Sequence, residues 1–146
     1  MKQLFMLSLC TIVLLATSFA QQKKAEQVVK FTTLQYDFGK VKQNVPVTYD
    51  FAFKNIGTQP LTIESATASC GCTTPVKPEK PIAKGKSDKI KAGFNAAAPG
   101  VFTKTITVKL AGVDMPVELK ISGEVLTAED YAKFESTKAK KPNAKS

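Results

Sequence analysis

The chain has no histidine, no tryptophan and no arginine, and all 21 of its basic residues are lysines. Histidine is the residue most often used for general acid–base catalysis and for binding metals. The sequence also has no glycine-rich phosphate loop, no nucleophile elbow and no paired-carboxylate motif. These absences predict that the protein is not an enzyme.

No apolar run is long enough to span a membrane, which needs about 20 residues. The one extended run, Leu4 to Leu15, follows Met1-Lys2 and precedes small residues at Ser18 and Ala20. This order predicts a signal peptide over residues 1–20, cleaved after Ala20. We therefore expect an exported protein, periplasmic or extracellular, that is soluble after cleavage and has no transmembrane segment.

Cys10 offers a different interpretation, a lipoprotein with Leu7-Ser8-Leu9-Cys10 as the lipidation box. Leu9 is too large for the position before a lipidated cysteine, and Cys10 lies inside the apolar run. Cleavage after Ala20 would leave only Cys70 and Cys72, and export favours their oxidation.

About 126 residues follow the predicted cleavage site, enough for one domain with a core. We predict a linker over residues 21–27 and a folded domain over residues 28–126. The lysine-rich segment 127–146 completes the chain. Thr127 followed by acidic residues is typical of a helix start, and we expect a short helix through Phe134 with disorder after it.

Alternating apolar and polar residues predict strands with one buried and one exposed face. The pattern is strongest in three segments, Val47–Lys54, Phe102–Leu110 and Met115–Ser122, whose lysines and threonines are expected to point away from the core. Four weaker segments bring the number of predicted strands to about seven: Val28–Thr33, Tyr36–Val41, Leu61–Glu64 and Ile90–Phe94. Short strands separated by turns indicate an all-β, immunoglobulin-like antiparallel β-sandwich.

Several motifs in order resemble the bacterial domain-of-unknown-function family 1573, whose members resemble the immunoglobulin-like domains grouped as ASH and PapD-like. They are Tyr36-Asp37-Phe38-Gly39, Phe51 to Gly57, Pro60 to Ile63, and Ser69-Cys70-Gly71-Cys72-Thr73. The resemblance runs from about Phe31 to Val125. It implies an exported sandwich domain and supplies no activity.

Cys70-Gly71-Cys72 is the place where side chains capable of unusual chemistry come together. Cysteines two apart in an extended strand lie roughly 6.5–7 Å apart at Cα, at or beyond the disulfide range, but a positive φ at Gly71 would bring them closer. The alternatives are a disulfide suited to thiol exchange, a soft-metal site for Cu(I), and a structural turn. No metal is assigned. Thr73, Asn55 and Gly57 are predicted to support the turns and motifs.

Lysines offer a further hypothesis, binding of a polyanion or an envelope surface. They concentrate in two segments, Lys77, Lys80, Lys84, Lys86, Lys89 and Lys91 in the first and Lys138, Lys140, Lys141 and Lys145 in the second. The lack of arginine and of interleaved aromatic residues argues against nucleic acid as the partner. The sequence therefore favours a non-catalytic binding or structural module for a protein partner. Thiol or copper handling at Cys70 and Cys72 is the alternative, and polyanion binding is the second.

Overall fold

The computed structural model describes residues 24–139, which form two packed β-sheets followed by one helix. A short 3₁₀ turn, Ala25–Gln27, leads into the first strand. In chain order the elements are β1 (Val29–Phe31), β2 (Gln35–Lys42), β3 (Val47–Asn55), β4 (Ile63–Ala68), β5 (Thr73–Val76), β6 (Ser87–Phe94), β7 (Gly100–Leu110), β8 (Val117–Leu126) and α1 (Ala128–Ala139).

The first sheet, sheet A, has the strand order β1-β3-β6-β5, and the second, sheet B, has the order β2-β8-β7-β4. All neighbouring strands are antiparallel except β2 and β8, which run parallel. The predicted immunoglobulin-like sandwich is confirmed. The structure adds an eighth strand, β5, in which the four residues Thr73–Val76 pair with β6.

The core lies between the sheets and is built by the predicted alternation. Phe51 and Phe53 of β3 are buried against Ile106 and Val108 of β7, and Leu119 of β8 joins them. Burying a side chain of this size contributes roughly 1.5–3 kcal/mol, so these alternating faces hold the two sheets together.

Lys104 departs from the expected orientation of the β7 lysines. Lys109 points to the outer face, where its Nζ lies 3.3 Å from Glu64 Oε2. Lys104, however, shares the parity of the buried residues Phe102 and Ile106 and is itself half-buried. Since residues two apart on a strand share a face, Lys104 lies on the side of β7 that faces sheet A.

Two element boundaries differ from the sequence-based prediction. Leu61 forms an isolated bridge with Ile82, and β4 proper starts at Ile63. The last helix is capped as expected, with the Asp130 backbone N–H donating to Thr127 Oγ1 at 3.2 Å, but it continues to Ala139 rather than ending at Phe134.

The predicted signal peptide, with Cys10 and the cleavage site at Ala20, lies outside the described residues, as do Lys140, Lys141 and Lys145. Within residues 24–139, no helix combines the length and apolar character needed to cross a bilayer.

Candidate functional site at the Cys70–Cys72 corner

The chain changes sheets at residues 69–72, which we call the corner. It leaves sheet B at the end of β4 and enters sheet A at the start of β5. Backbone hydrogen bonds fix both sides: the Ser69 N–H donates to Thr105 O at 2.9 Å, and the Asn95 N–H donates to Cys72 O at 3.0 Å. The corner is therefore anchored to β7 on one side and to the residue after β6 on the other.

Cys70 and Cys72 are joined by a disulfide, with their Cα atoms 5.3 Å apart. The approach comes from a tight turn in which the Thr73 N–H donates to Cys70 O at 3.2 Å. Gly71 is not among the glycines with positive φ, so the approach of the cysteines does not depend on a left-handed conformation at this residue. A Cβ at Gly71 would meet no heavy atom within 4 Å, and this residue is exposed.

Thr73 is the buried member of the corner, with 4% of its surface exposed. Its Oγ1 lies 3.7 Å from Cys70 Sγ and 4.0 Å from Cys72 Sγ, within range of weak hydrogen bonds that involve sulfur. Both cysteines are half-buried, and Cys72 packs against the core. The Thr73 hydroxyl group is therefore within weak hydrogen-bonding distance of both sulfur atoms.

A pocket of about 210 Å³ opens beside Cys72. It forms because β7 begins at Gly100, whereas β4 pairs with β7 only from Ile106 onward. The start of β7 therefore extends past the end of β4, and Lys104 from this uncovered stretch lines the pocket together with Cys72. The stacked rings of Phe94 and Phe102, with centroids 4.1 Å apart, also line it. Sequence reasoning missed Lys104, although its parity with Phe102 and Ile106 carried the signal.

Asn55 and Gly57 lie at the opposite end of the sandwich from the corner. Val47, at the start of β3, and Thr73, next to the corner, both pair with Phe94. The start of β3 therefore lies at the corner end of the sheet, and Asn55, the last residue of β3, lies at the other end. Asn55 is 1% exposed, and its Oδ1 accepts a 2.9 Å hydrogen bond from the Gly57 N–H. This hydrogen bond closes a turn at the end of β3, and the structure does not bring the two residues to the cysteines.

No group of three or more histidine, cysteine, aspartate or glutamate side chains converges within residues 24–139. Two-coordinate Cu(I) requires both sulfur atoms as thiolates, and the disulfide engages both of them.

The lysines of the first predicted segment are spread over two regions. Lys89 and Lys91 stand on the outer face of β6, where Lys89 Nζ contacts Asp50 Oδ2 at 2.5 Å. Lys77, Lys80, Lys84 and Lys86 lie in the connection between β5 and β6. None of these residues lines the pocket at the corner.

The two antiparallel-rich sheets and their order define an immunoglobulin-like β-sandwich. The family model of DUF1573, described as a protein of unknown function, matches residues 29–125. This chain belongs to that family, as its motifs implied. A comparison with curated proteins finds no significant match.

Solved structures support the fold assignment. A protein of unknown function from Porphyromonas gingivalis W83 matches with a TM-score of 0.58 and 16% identity, covering 66% of this chain and 46% of that one. The VesB protease of Vibrio cholerae gives a TM-score of 0.55 at 15% identity, with 69% and 33% coverage. The ASH/PapD-like domain 7 of human CEP192 gives 0.53 at 12% identity, with 70% and 87% coverage. The chain thus spans less than half of the first two proteins, and at these identities the likeness concerns the fold alone.

Proposed function

We propose that this protein is an exported, non-catalytic binding module, and that an extended segment of a protein partner adds a strand to the outer edge of β4. The observation that supports this proposal is a contrast between the sheet edges. The outward backbone groups of β4 at Ala66 and Ala68 have no other partner among the described residues, whereas local hydrogen bonds, a proline or short strand length limit the other edges. An unpaired strand edge offers N–H and C=O groups to an incoming strand.

The β5 edge is poorly suited to accept a strand. The Asn95–Cys72 hydrogen bond turns the backbone of Cys72 toward β6, and by alternation Thr74 and Val76 also face β6. Thr73 and Pro75 then face outward. The Thr73 N–H is already bonded within the turn, and proline has no N–H to donate.

The β2 edge is obstructed by local side-chain bonds. Thr33 Oγ1 accepts from the Gln35 N–H at 3.3 Å and donates to Gln35 O at 2.8 Å. Asp37 Oδ1 accepts from the Gly39 N–H at 2.8 Å, and the register shifts between Asp37 and Lys40. Bulges of this kind are a common way to protect an edge strand.

On the remaining edge of sheet A, β1 is only three residues long. Past its end, the ring of Tyr36 in β2 stacks on Tyr49 of β3 with centroids 3.7 Å apart. This contact joins β2 of sheet B to β3 of sheet A on the side where β3 extends past β1.

The β4 edge has one register shift, between Ile63 and Ser65, and is regular from Ser65 to Ala68. The Ser69–Thr105 hydrogen bond directs the backbone of Ser69 toward β7, and alternation does the same for Thr67. Ala66 and Ala68 therefore present their N–H and C=O groups outward, and their small side chains pack inward on the core. Among the described residues, no backbone group outside the strand ladders bonds to them.

The start of this edge already accepts a neighbouring segment. Leu61 and Ile82 exchange two backbone hydrogen bonds, of 2.9 and 2.8 Å, in an antiparallel bridge. An incoming strand would pair separately from this bridge, beyond the register shift at Ile63 and Ser65, along Ala66 and Ala68. The net charge of +9 favours an acidic partner and disfavours a second copy of this chain in that position.

The test combines peptide selection with amide hydrogen exchange. Unstructured decapeptides are selected for binding to the purified chain, and protection is measured residue by residue with and without the peptide. In the free chain we expect faster exchange at Ala66 and Ala68 than at Thr67 and Ser69. Bound peptide should protect Ala66 and Ala68 specifically.

Ala66→Pro removes one outward donor and should weaken peptide binding at least tenfold, whereas Ala98→Pro, in the exposed loop before β7, should leave it unchanged. Protection at other residues would contradict the proposal, as would peptide-independent dimerisation through β4. Amide hydrogen exchange is measured on the wild-type chain, so the proposal remains testable even if the Ala66→Pro variant misfolds.

A further inference from the structure

We propose that the Cys70–Cys72 disulfide exchanges with cysteine thiols of other exported proteins, and that Cys72 is the sulfur that a substrate attacks. This activity is separate from strand addition at β4. Three features support it: an accessible disulfide, a pocket on one side of it, and a cation in that pocket.

The disulfide lies at the surface of the sandwich rather than across its core. Both cysteines are half-buried, and the residue between them is exposed with open space around it. The bond closes a loop of only three residues, so loop entropy contributes little to keeping it formed. A structural crosslink normally joins distant segments, and this one joins neighbours within a single turn.

The two sulfur atoms have different surroundings. Cys72 lines the pocket of about 210 Å³, whereas Cys70 does not. A thiolate that enters the pocket therefore lies beside Cys72 rather than Cys70. Cys70 Sγ is the sulfur nearer to Thr73 Oγ1, at 3.7 Å. A hydroxyl at this distance is placed to donate a weak hydrogen bond to a thiolate that forms on Cys70.

Lys104 supplies the only cationic side chain that lines this pocket among the described residues. No carboxylate of residues 24–139 lies within ion-pair distance of it, in contrast to Lys109 on the same strand, which pairs with Glu64. An ammonium group in the pocket attracts the anionic form of a thiol, which is the nucleophile in disulfide exchange. We assign Lys104 the role of a positioning residue for the substrate thiolate.

The exchange conserves atoms and electrons. The substrate thiolate attacks Cys72 Sγ, the Cys70–Cys72 bond breaks, and its electron pair remains on Cys70 Sγ as a thiolate, which water then protonates. The product is a mixed disulfide between the substrate and Cys72. A second substrate thiolate then attacks the substrate sulfur and releases Cys72, which leaves the substrate oxidised to a disulfide and Cys70 and Cys72 reduced.

The experiment uses reduced glutathione as the probe on the folded full chain at low ionic strength. Exchange is quenched with acid, and the mixed disulfide is located by tandem mass spectrometry. We expect glutathione on Cys72 rather than on Cys70. We expect Lys104→Gln to slow the exchange about fivefold and Lys104→Arg to restore it. Lys109→Gln, which removes a paired lysine from the same strand, should have no effect.

A purely structural disulfide would behave differently, since it would open only after unfolding in urea. That result would overturn the proposal, and so would glutathione found mainly on Cys70. A rate for Lys104→Gln equal to that of the wild type would overturn the role of Lys104. Added salt should reduce the difference between wild type and Lys104→Gln, because screening weakens the attraction between the ammonium group and the thiolate. Circular dichroism of each variant checks that folding is unchanged.

Discussion

The side-chain amide of Asn55 donates a 2.8 Å hydrogen bond to the carbonyl oxygen of Ile82, 27 positions further along the chain. The same amide donates to Gln59 O at 2.9 Å, and Asn55 Oδ1 accepts from the Gly57 N–H. One buried side chain therefore joins the end of β3 to two loops. This network makes Asn55 a structural residue at the end of the sandwich opposite the disulfide.

Asn55→Ala should destabilise the fold by about 2–3 kcal/mol, because it leaves buried backbone groups without their partner. Urea denaturation followed by circular dichroism measures the loss. Asn95→Ala is the matched control: Asn95 is exposed and caps only the Ala97 N–H at 3.2 Å, so we expect a loss below about 1 kcal/mol. Equal losses in both variants would contradict this interpretation of Asn55.

Gly123→Ala should also destabilise the protein, by about 1–3 kcal/mol. A Cβ at Gly123 would lie 2.8 Å from the carbonyl oxygen of Gly39 and 2.9 Å from the Phe102 ring, so β2 or the ring would have to move. Gly71→Ala adds the same methyl group in open space and should change stability by less than about 0.5 kcal/mol. Thermal melts of both variants give the comparison, and a Gly123→Ala variant as stable as Gly71→Ala would show that the close approach is relaxed at no cost.

The ion pair between Lys89 and Asp50 predicts a pH dependence in alkaline solution. The hydrogen bond to Asp50, together with the charge of that carboxylate, raises the pKa of Lys89 above its ordinary value of 10.5. Because the folded pKa is the higher one, this contribution is complete below the unfolded pKa and disappears as pH rises through the folded pKa.

The stability difference between wild type and Lys89→Gln should therefore be constant below about pH 9 and shrink above about pH 10.5. Urea denaturation over this range measures it. Lys120→Gln, at a lysine without an acidic partner among the described residues, is the control for the loss of one positive charge. A difference for Lys89→Gln that stays constant through pH 11.5 would contradict the role of Asp50.

Replacing both Cys70 and Cys72 with serine should lower the free energy of unfolding by about 1.5 kcal/mol at most, since the loop they close contains three residues. We expect the double variant to fold and to show the same circular dichroism spectrum as the wild type. It should also bind β4-directed peptides unchanged, which would separate strand addition from thiol exchange. A variant that fails to fold would mean that the corner needs the disulfide to form.

Much of the fold is predictable from the sequence because alternation is a local property. The segments around Phe51, Ile106 and Leu119 each place one apolar face on the core, whatever strand lies beside them. β5 was missed for the opposite reason. Thr73–Val76 is short and contains Pro75, and it is a strand only because β6 lies alongside it. The length of α1 was underestimated, since charged residues after Phe134 were interpreted as disorder.

The candidate site likewise contains residues that the sequence identified and residues that only the structure revealed. The sequence identified Cys70, Gly71, Cys72 and Thr73 from their adjacency, and the structure keeps them together at one corner. Asn55 and Gly57 belong to the same family pattern but lie at the other end of the domain. Lys104, 32 residues after Cys72 in the chain, reaches the pocket only because β7 extends past the end of β4.

The sequence by itself determined the strand periodicity, the absence of histidine, and the close spacing of two cysteines, since all three are set by residue type and local spacing. The tertiary structure decided which strand edges are open, which side of the disulfide faces a pocket, and which lysine stands there. Those features depend on where strands begin and end against one another. That arrangement is fixed by packing and hydrogen bonding between segments far apart in the chain.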